Sequence, residues 1–146
     1  MHLRLNVAAI LRNPSGRILI CERLKQPGFW QFPQGGVGKM ETLSEALYRE
    51  IHEEIGVPPH HLRLLECKGP YFHTFSRPKK GYDGKEQHYF LCEYLGPETE
   101  INVHTDHPEF RNYRWIQPSE FLASWLPPIR LEIYRAVFRD FFGQTI

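Results

Sequence analysis

The sequence predicts an α/β fold, a mixed β-sheet covered by helices on both faces. Three observations lead there. Strand-like segments make up most of the chain, an amphipathic helix interrupts them at residues 43–55, and a second helix with an apolar face follows Pro127-Pro128. With 146 residues, 41% of them hydrophobic and 24% charged, the chain is long enough for one domain with a real core, residues 1–146.

Leu3, Leu5, Val7, Ala9 and Leu11 alternate with Arg4 and Asn6 on the other face, which is strand period. Asn13-Pro14-Ser15-Gly16 is a turn, and residues 17–24 return as a second strand apolar enough to be central. Pro27-Gly28 breaks the chain before a short strand at 29–34, which runs into a glycine-rich loop with Gly35, Gly36 and Gly38. Beyond the 43–55 helix, 62–67 and 71–75 read as strands separated by Lys68-Gly69-Pro70. Residues 76–85, rich in Lys, Gly and Pro, read as a loop, and 86–95 as a strong strand. Residues 101–110 lack periodicity and are expected to loop over the site; 113–116 form a short strand, and a helical start follows from Pro118 toward Trp125. The last helix carries Leu131, Tyr134, Val137, Phe138, Phe141 and Phe142 at helical spacing and stops at Gly143. Phe72, Tyr89, Trp115 and Phe138 are expected in the core.

The 43–55 helix is the chemical centre of the sequence. Thr42 and Glu45 have capping-box spacing, Gly56 sits at the C′ position, and Pro58-Pro59 keep the helix from resuming. Leu43, Leu47, Ile51 and Ile55 form one stripe, and Glu50, Glu53 and Glu54 cluster beside it. Three carboxylates at that spacing repel one another unless a hard cation lies among them, and oxygen ligands point to magnesium or manganese. Arg49 lies within reach of Glu45 and Glu53, and its expected task is structural, orienting Glu53.

Charge and cysteine usage narrow the function classes. A net charge of +1 and a pI near 7.8 give no bulk attraction for a long polyanion, so stable DNA binding is not expected. Cys21, Cys67 and Cys92 have no zinc spacing and read as reduced core thiols. His60-His61 and His104/His107 sit on no two-turn ligand helix and read as surface histidines. The first thirteen residues are too often interrupted by polar side chains for a signal peptide, and no segment reaches membrane-spanning length. The expectation is a cytoplasmic protein with no membrane partner.

The pattern Gly35-x5-Glu41-x7-Arg49-Glu50-Ile51-x-Glu53-Glu54-x-Gly56-Val57 resembles the Nudix box at every defined position, with Lys39-Met40 where members often place Gly before the first glutamate. The resemblance implies an α/β/α sandwich and a hydrolase of nucleoside diphosphates linked to another group. It also implies two or three magnesium (or manganese) ions on Glu50, Glu53 and Glu54, with a backbone carbonyl such as that of Gly35 completing the shell; Arg49 and Gly56 are structural. Outside the box, Trp30 to Gly36, Gly84 to Leu91, Glu100-Ile101-Asn102, Pro108-Glu109-Phe110 and Tyr113 to Ile116 are similar to bacterial RNA pyrophosphohydrolases and dinucleoside polyphosphate hydrolases. By that similarity Glu109 is a further acid brought to the metals, and Arg4, Arg23 and Gln87 are substrate groups around the phosphates. Glu53 and Glu109 are alternative proton acceptors. Arg77, Lys79 and Lys80 either contact RNA phosphates or form a solvated loop. The implied activity is release of pyrophosphate from 5′-triphosphorylated RNA; the alternatives are cleavage of diadenosine tetraphosphate to ATP and AMP, and a catalytically silent nucleotide- or RNA-binding module.

Overall fold

The β-period at the N-terminus produces β1 (Leu3–Arg12), and this strand organises the sheet in a computed structural model that describes residues 1–146. Along one edge β1 pairs in parallel with β6 (Tyr82–Tyr94), from Leu3 opposite Gly84 to Arg12 opposite Glu93. β6 in turn pairs antiparallel with β5 (Leu62–Lys79), which forms the sheet's outer edge. The other edge of β1 is divided. Its middle, Asn6 to Ala8, pairs with β4 (Gln34–Gly36), and only its far end, Arg12 opposite Ile18, meets β2 (Ile18–Arg23). β2 is flanked by β3 (Trp30–Gln31) and by β7 (Phe110–Ile116). The sheet is therefore mixed, with the strand order β3-β2-β1-β6-β5 and β4 and β7 attached at its forked side.

Alternation sends side chains of these strands to two cores. Val7, Ala9, Leu11, Leu19, Phe90 and Cys92 face α1 (Leu43–Ile55), whose Ala46, Leu47, Ile51 and Ile55 are buried against them. Ala8, Ile10, Ile18, Ile20 and Leu91 face α2 (Pro128–Phe142), which buries Tyr134, Val137 and Phe138. The predicted α/β/α sandwich is the observed architecture. α1 has the predicted ends: Glu45 N–H donates to Thr42 Oγ1 at 3.1 Å, Thr42 N–H to Glu45 Oε1 at 2.9 Å, and Gly56 closes the helix at φ 68°. The tyrosine hydroxyl of α2 also serves the backbone, since Tyr134 OH accepts from Phe32 N–H at 2.9 Å where the chain passes from β3 to β4.

Several expectations need correction. Residues 62–94 hold no broad basic loop: β5 runs unbroken past Gly69-Pro70 with shifts of register, and a two-residue turn, Lys80-Gly81, returns it directly into β6. Pro is tolerated there because β5 is an edge strand. Both turn residues have positive φ, 51° and 83°, the backbone that a two-residue hairpin requires. Pro118 to Trp125 forms two 3₁₀ turns, Pro118–Glu120 and Ala123–Trp125, instead of a helical start. The break lets Phe121 and Leu126 both reach the α2-side core; residues five apart on an unbroken helix diverge by roughly 140°. β7 begins three residues before the predicted strand, at Phe110. Phe72, expected in the core, is 59% exposed, because it lies on the outward face of edge strand β5. Cys21 and Cys92 are buried free thiols, but Cys67 is exposed on that same strand.

Candidate active site

The three glutamates of α1 grade from interior to solvent. Glu54 is 6% exposed, the Glu50 side chain 15% and the Glu53 side chain 57%. Burial pushes the Glu54 carboxyl up to about 9, with help from the charge of Glu50, a hydrogen bond to it, and the charges of Glu109 and Glu53. Glu109 thus belongs to the same acidic group although it lies 55 residues beyond Glu54. The segment from Ile101 carries it there. Asn102 N–H donates to the Ile55 carbonyl at 2.9 Å, Ile101 and Val103 are buried, and Leu24 N–H donates to the Glu109 carbonyl at 3.0 Å.

Arg49 holds this end of the helix to the glycine loop, in a way that differs from the predicted pairing. Its guanidinium grips Glu41 with two bonds, Nε to Oε2 at 2.7 Å and Nη2 to Oε1 at 2.8 Å. It also donates to Glu50 at 2.8 Å and to the Gly36 carbonyl at 2.9 Å, whereas Glu53 is a distant fourth partner at 3.4 Å. Glu45 is committed to the helix cap. Arg49 therefore positions Glu50 and the loop more than it positions Glu53. The paired Glu41 carboxyl, which also accepts from Gly38 N–H, is held down to about 2.

Gly35 and Gly36 lie between two layers of charge. A Cβ on Gly35 would fall 2.0 Å from the Glu50 carboxyl carbon, and one on Gly36 would fall 2.1 Å from Arg4 Nη2. A side chain at either position would displace the end of Glu50 or of Arg4, and β4 thus brings the acids of α1 and the base of β1 to either side of one backbone.

On the α2 side of the sheet lies a cavity of about 350 Å³ whose walls include Arg23, Gln34, His73, Lys79, Lys85, Gln87 and Arg130 but no carboxylate. Gln87, 3% exposed, donates to the side-chain oxygen of Gln34 at 3.0 Å. Lys85 is opposite Arg4 in the β1–β6 pairing and opposite His73 in the β5–β6 pairing. Its ammonium is brought down to about 8 by burial and then by Arg130, Arg23, Arg4 and Lys79. Arg23 joins the cavity to the acids. Burial and Arg130 lower its affinity for a proton, and the nearby charge of Glu109 works the other way.

The predicted site residues thus fall into two sets. Glu50, Glu53, Glu54 and Glu109 gather at the forked side of the sheet; Arg23 and Gln87 line the cavity, with Arg4 beside it. As they stand, no three acidic, histidine or cysteine side chains are close enough to hold one ion together: Glu50 is shared between Glu54 and Arg49, and Glu53 reaches into solvent. The donor chemistry nevertheless fits a hard cation. The group is all oxygen, and its buried member, Glu54, is crowded by carboxylates that a divalent ion neutralises. Lys85, His73 and Arg130 were missed by sequence reasoning. Lys85 is two residues from Gln87, so strand period places both on one face; Arg130 on α2 has no local signal at all.

A mixed sheet between two helices, with an acidic helix held against a glycine loop, defines a class of hydrolytic α/β/α proteins. Residues 2–137 match the model of the NUDIX domain, and the chain belongs to the Nudix family. Members of this family generally need divalent metal ions. An RNA pyrophosphohydrolase of Hahella chejuensis is 36% identical, the match covering 94% of this chain and 89% of that protein. One from Wolbachia pipientis is 33% identical over 92% of this chain and 86% of the relative. Among solved structures, an E. coli dihydroneopterin triphosphate pyrophosphohydrolase superposes with a TM-score of 0.70 at 20% identity, covering 97% of both chains. A C. elegans Ap4A hydrolase superposes with a TM-score of 0.64 at 20% identity, covering 95% of this chain and all of that one. These two likenesses concern the fold. No helix is long and apolar enough to cross a membrane.

Proposed function

We propose that residues 1–146 act as one cytoplasmic, magnesium- or manganese-dependent unit that removes pyrophosphate from 5′-triphosphorylated RNA and leaves a 5′-monophosphate. The observation that carries the proposal is the junction at Arg23, which lines a cavity walled by cations and free of acids and at the same time feels the charge of Glu109, a member of the carboxylate group. A polyphosphate chain held by divalent ions is the ligand whose charges match both halves. The RNA pyrophosphohydrolases at 33–36% identity supply the choice of substrate.

Glu50, Glu53, Glu54, Glu109 and the Gly35 carbonyl are the groups that would hold two or three ions. When bound, divalent ions disperse charge on the phosphate oxygens and lower the pKa of water. Arg4, Arg23 and Gln87 bind and orient the phosphates. Glu53 or Glu109, both solvent-accessible, takes the proton as a water oxygen bonds to phosphorus and the phosphoanhydride bond breaks; the electron pair leaves with the departing phosphate oxygen. Burial of Glu54 makes it a ligand or charge-holding group in preference to a freely exchanging base.

The test compares pyrophosphate release from triphosphorylated RNA with ATP release from diadenosine tetraphosphate, at matched concentrations with magnesium. Faster turnover of the RNA is the expected result. Faster cleavage of the dinucleotide would assign the same site to dinucleoside polyphosphates. Glu53→Gln is expected to bind nucleotide while losing turnover. No turnover of either substrate by the wild type, with binding intact, would instead make the chain a silent binding module.

A further inference from the structure

The cavity on the α2 side contains a group of cations that the fold does not need. Lys85, Arg23, Lys79 and Arg130 make no ion pair with any carboxylate; Arg130 bonds the Gln31 amide oxygen, and Lys79 lies 5.2 Å from the centre of the Phe75 ring. Other cations of the chain do find carboxylates, as Arg49 does in Glu41 and Arg63 in Glu93. Repelling cations around a partly enclosed space raise the energy of the folded state and lower it only when an anion enters. Lys85 sits at the centre of the group. It is only partly exposed, it projects from the middle of the sheet, and Arg4 and His73 are its two cross-strand neighbours. Gln87, two residues along the same face, leads toward Gln34 and the glycine loop. At about 3.3 Å per residue the Lys85 stem is displaced from Gln87 by roughly 7 Å along the strand, about the span of two phosphoanhydride links.

We propose that Lys85, flanked by His73 and Arg130, is a specificity-determining residue that holds a phosphate of the substrate chain lying beyond the metal-bound one. This rests on the reading of the protein as a polyphosphate hydrolase. It adds that the cavity counts phosphates: a chain of three reaches Lys85, whereas a shorter one held at the glutamates does not. Lys85 acts on the ligand without divalent ions, which separates its contribution from that of the glutamates.

The probe is inorganic tripolyphosphate, measured by calorimetry in the presence of chelator, with pyrophosphate as the shorter comparison. Wild type is expected to bind tripolyphosphate more tightly than pyrophosphate. Lys85→Met is expected to lose at least tenfold in tripolyphosphate affinity, and Lys85→Arg to regain most of the loss. The Tm of Lys85→Met without ligand is expected to equal or exceed that of wild type, because a repelling charge has gone. The proposal is overturned if wild type fails to bind tripolyphosphate in chelator, if Lys85→Met binds it within twofold of wild type, or if Lys85→Met is less stable than wild type. Turnover of triphosphorylated RNA by wild type is scored separately. Its absence would defeat the functional reading and leave the anion subsite standing; metal-free binding unaffected by Lys85→Met, alongside normal turnover, would do the reverse.

Discussion

The two faces of the sheet carry opposite charge and handle it differently. On the α1 side the acids are compensated within the fold. Arg49 pairs with Glu41 and Glu50, and the buried Glu54 keeps its proton well past the usual carboxylate range, to about 9. On the α2 side the cations around Lys85 have no acidic partners. An acidic cluster can lower its own charge by taking up a proton near neutral pH. Lys85 sheds its proton above about 8, but Arg23 and Arg130 cannot shed theirs, so that part of the basic cluster stays charged until an anion arrives. The comparison teaches that the metal side has a stable resting form and the phosphate side does not.

The largest test of this contrast is Glu54→Gln. Turnover is expected to fall about 10³-fold, the scale of removing a charge-stabilising group at a reacting centre. The metal-free protein should at the same time become more stable. The carboxyl's folded pKa is raised above its unfolded value, so in wild type stability declines as pH rises from about 4.5 toward about 9. Thermal melts across that window should show a decline in wild type that is absent from the variant and reversed by magnesium. Wild type and Glu54→Gln melting in parallel would remove the contrast between the faces.

Gly35→Ala comes next. Its Cβ would drive into the Glu50 carboxyl, and displacement by about 1 Å at a catalytic group typically costs roughly 10²-fold. kcat should fall with no comparable loss of tripolyphosphate binding in chelator. Tyr134→Phe should leave Phe32 N–H buried without a partner and cost about 1–3 kcal/mol in denaturant unfolding, with little effect on charge at either face. The smallest effect belongs to Glu41→Gln. Arg49 holds Glu41 to about 2, so its contribution is present above the unfolded pKa near 4.5 and lost as pH falls toward 2. The variant should be slightly less stable than wild type at pH 7, by little because the pair is screened by solvent, and should converge with wild type as pH falls toward 2, giving a flatter acid limb of the melting profile.

How much of this was legible in the sequence depends on the range over which each signal acts. α1 appeared with both its ends because Thr42, Glu45 and Gly56 are local signals that act within one turn. The alternation of β1 likewise separated its two faces correctly. The β5–β6 hairpin was illegible because Gly69, Pro70 and the Lys80-Gly81 turn have loop composition, and only pairing with β6 overrides it. The partners of Arg49 were misjudged for a related reason. Helix spacing points to Glu45 and Glu53, but Glu41, in the loop before the helix, offers both oxygens to the guanidinium. The cationic cavity combines residues from β2, β5, β6 and α2, so no single stretch of sequence reveals it.

β4 is three residues long and has glycine at two of them, one facing each layer. Such a thin spacer has no side chain to absorb a displacement. A push that tilts it toward Glu50 draws it away from Arg4, and the reverse. Loading a cation on one side and a phosphate on the other should therefore be felt across the backbone, each ligand changing the other's affinity by the same factor.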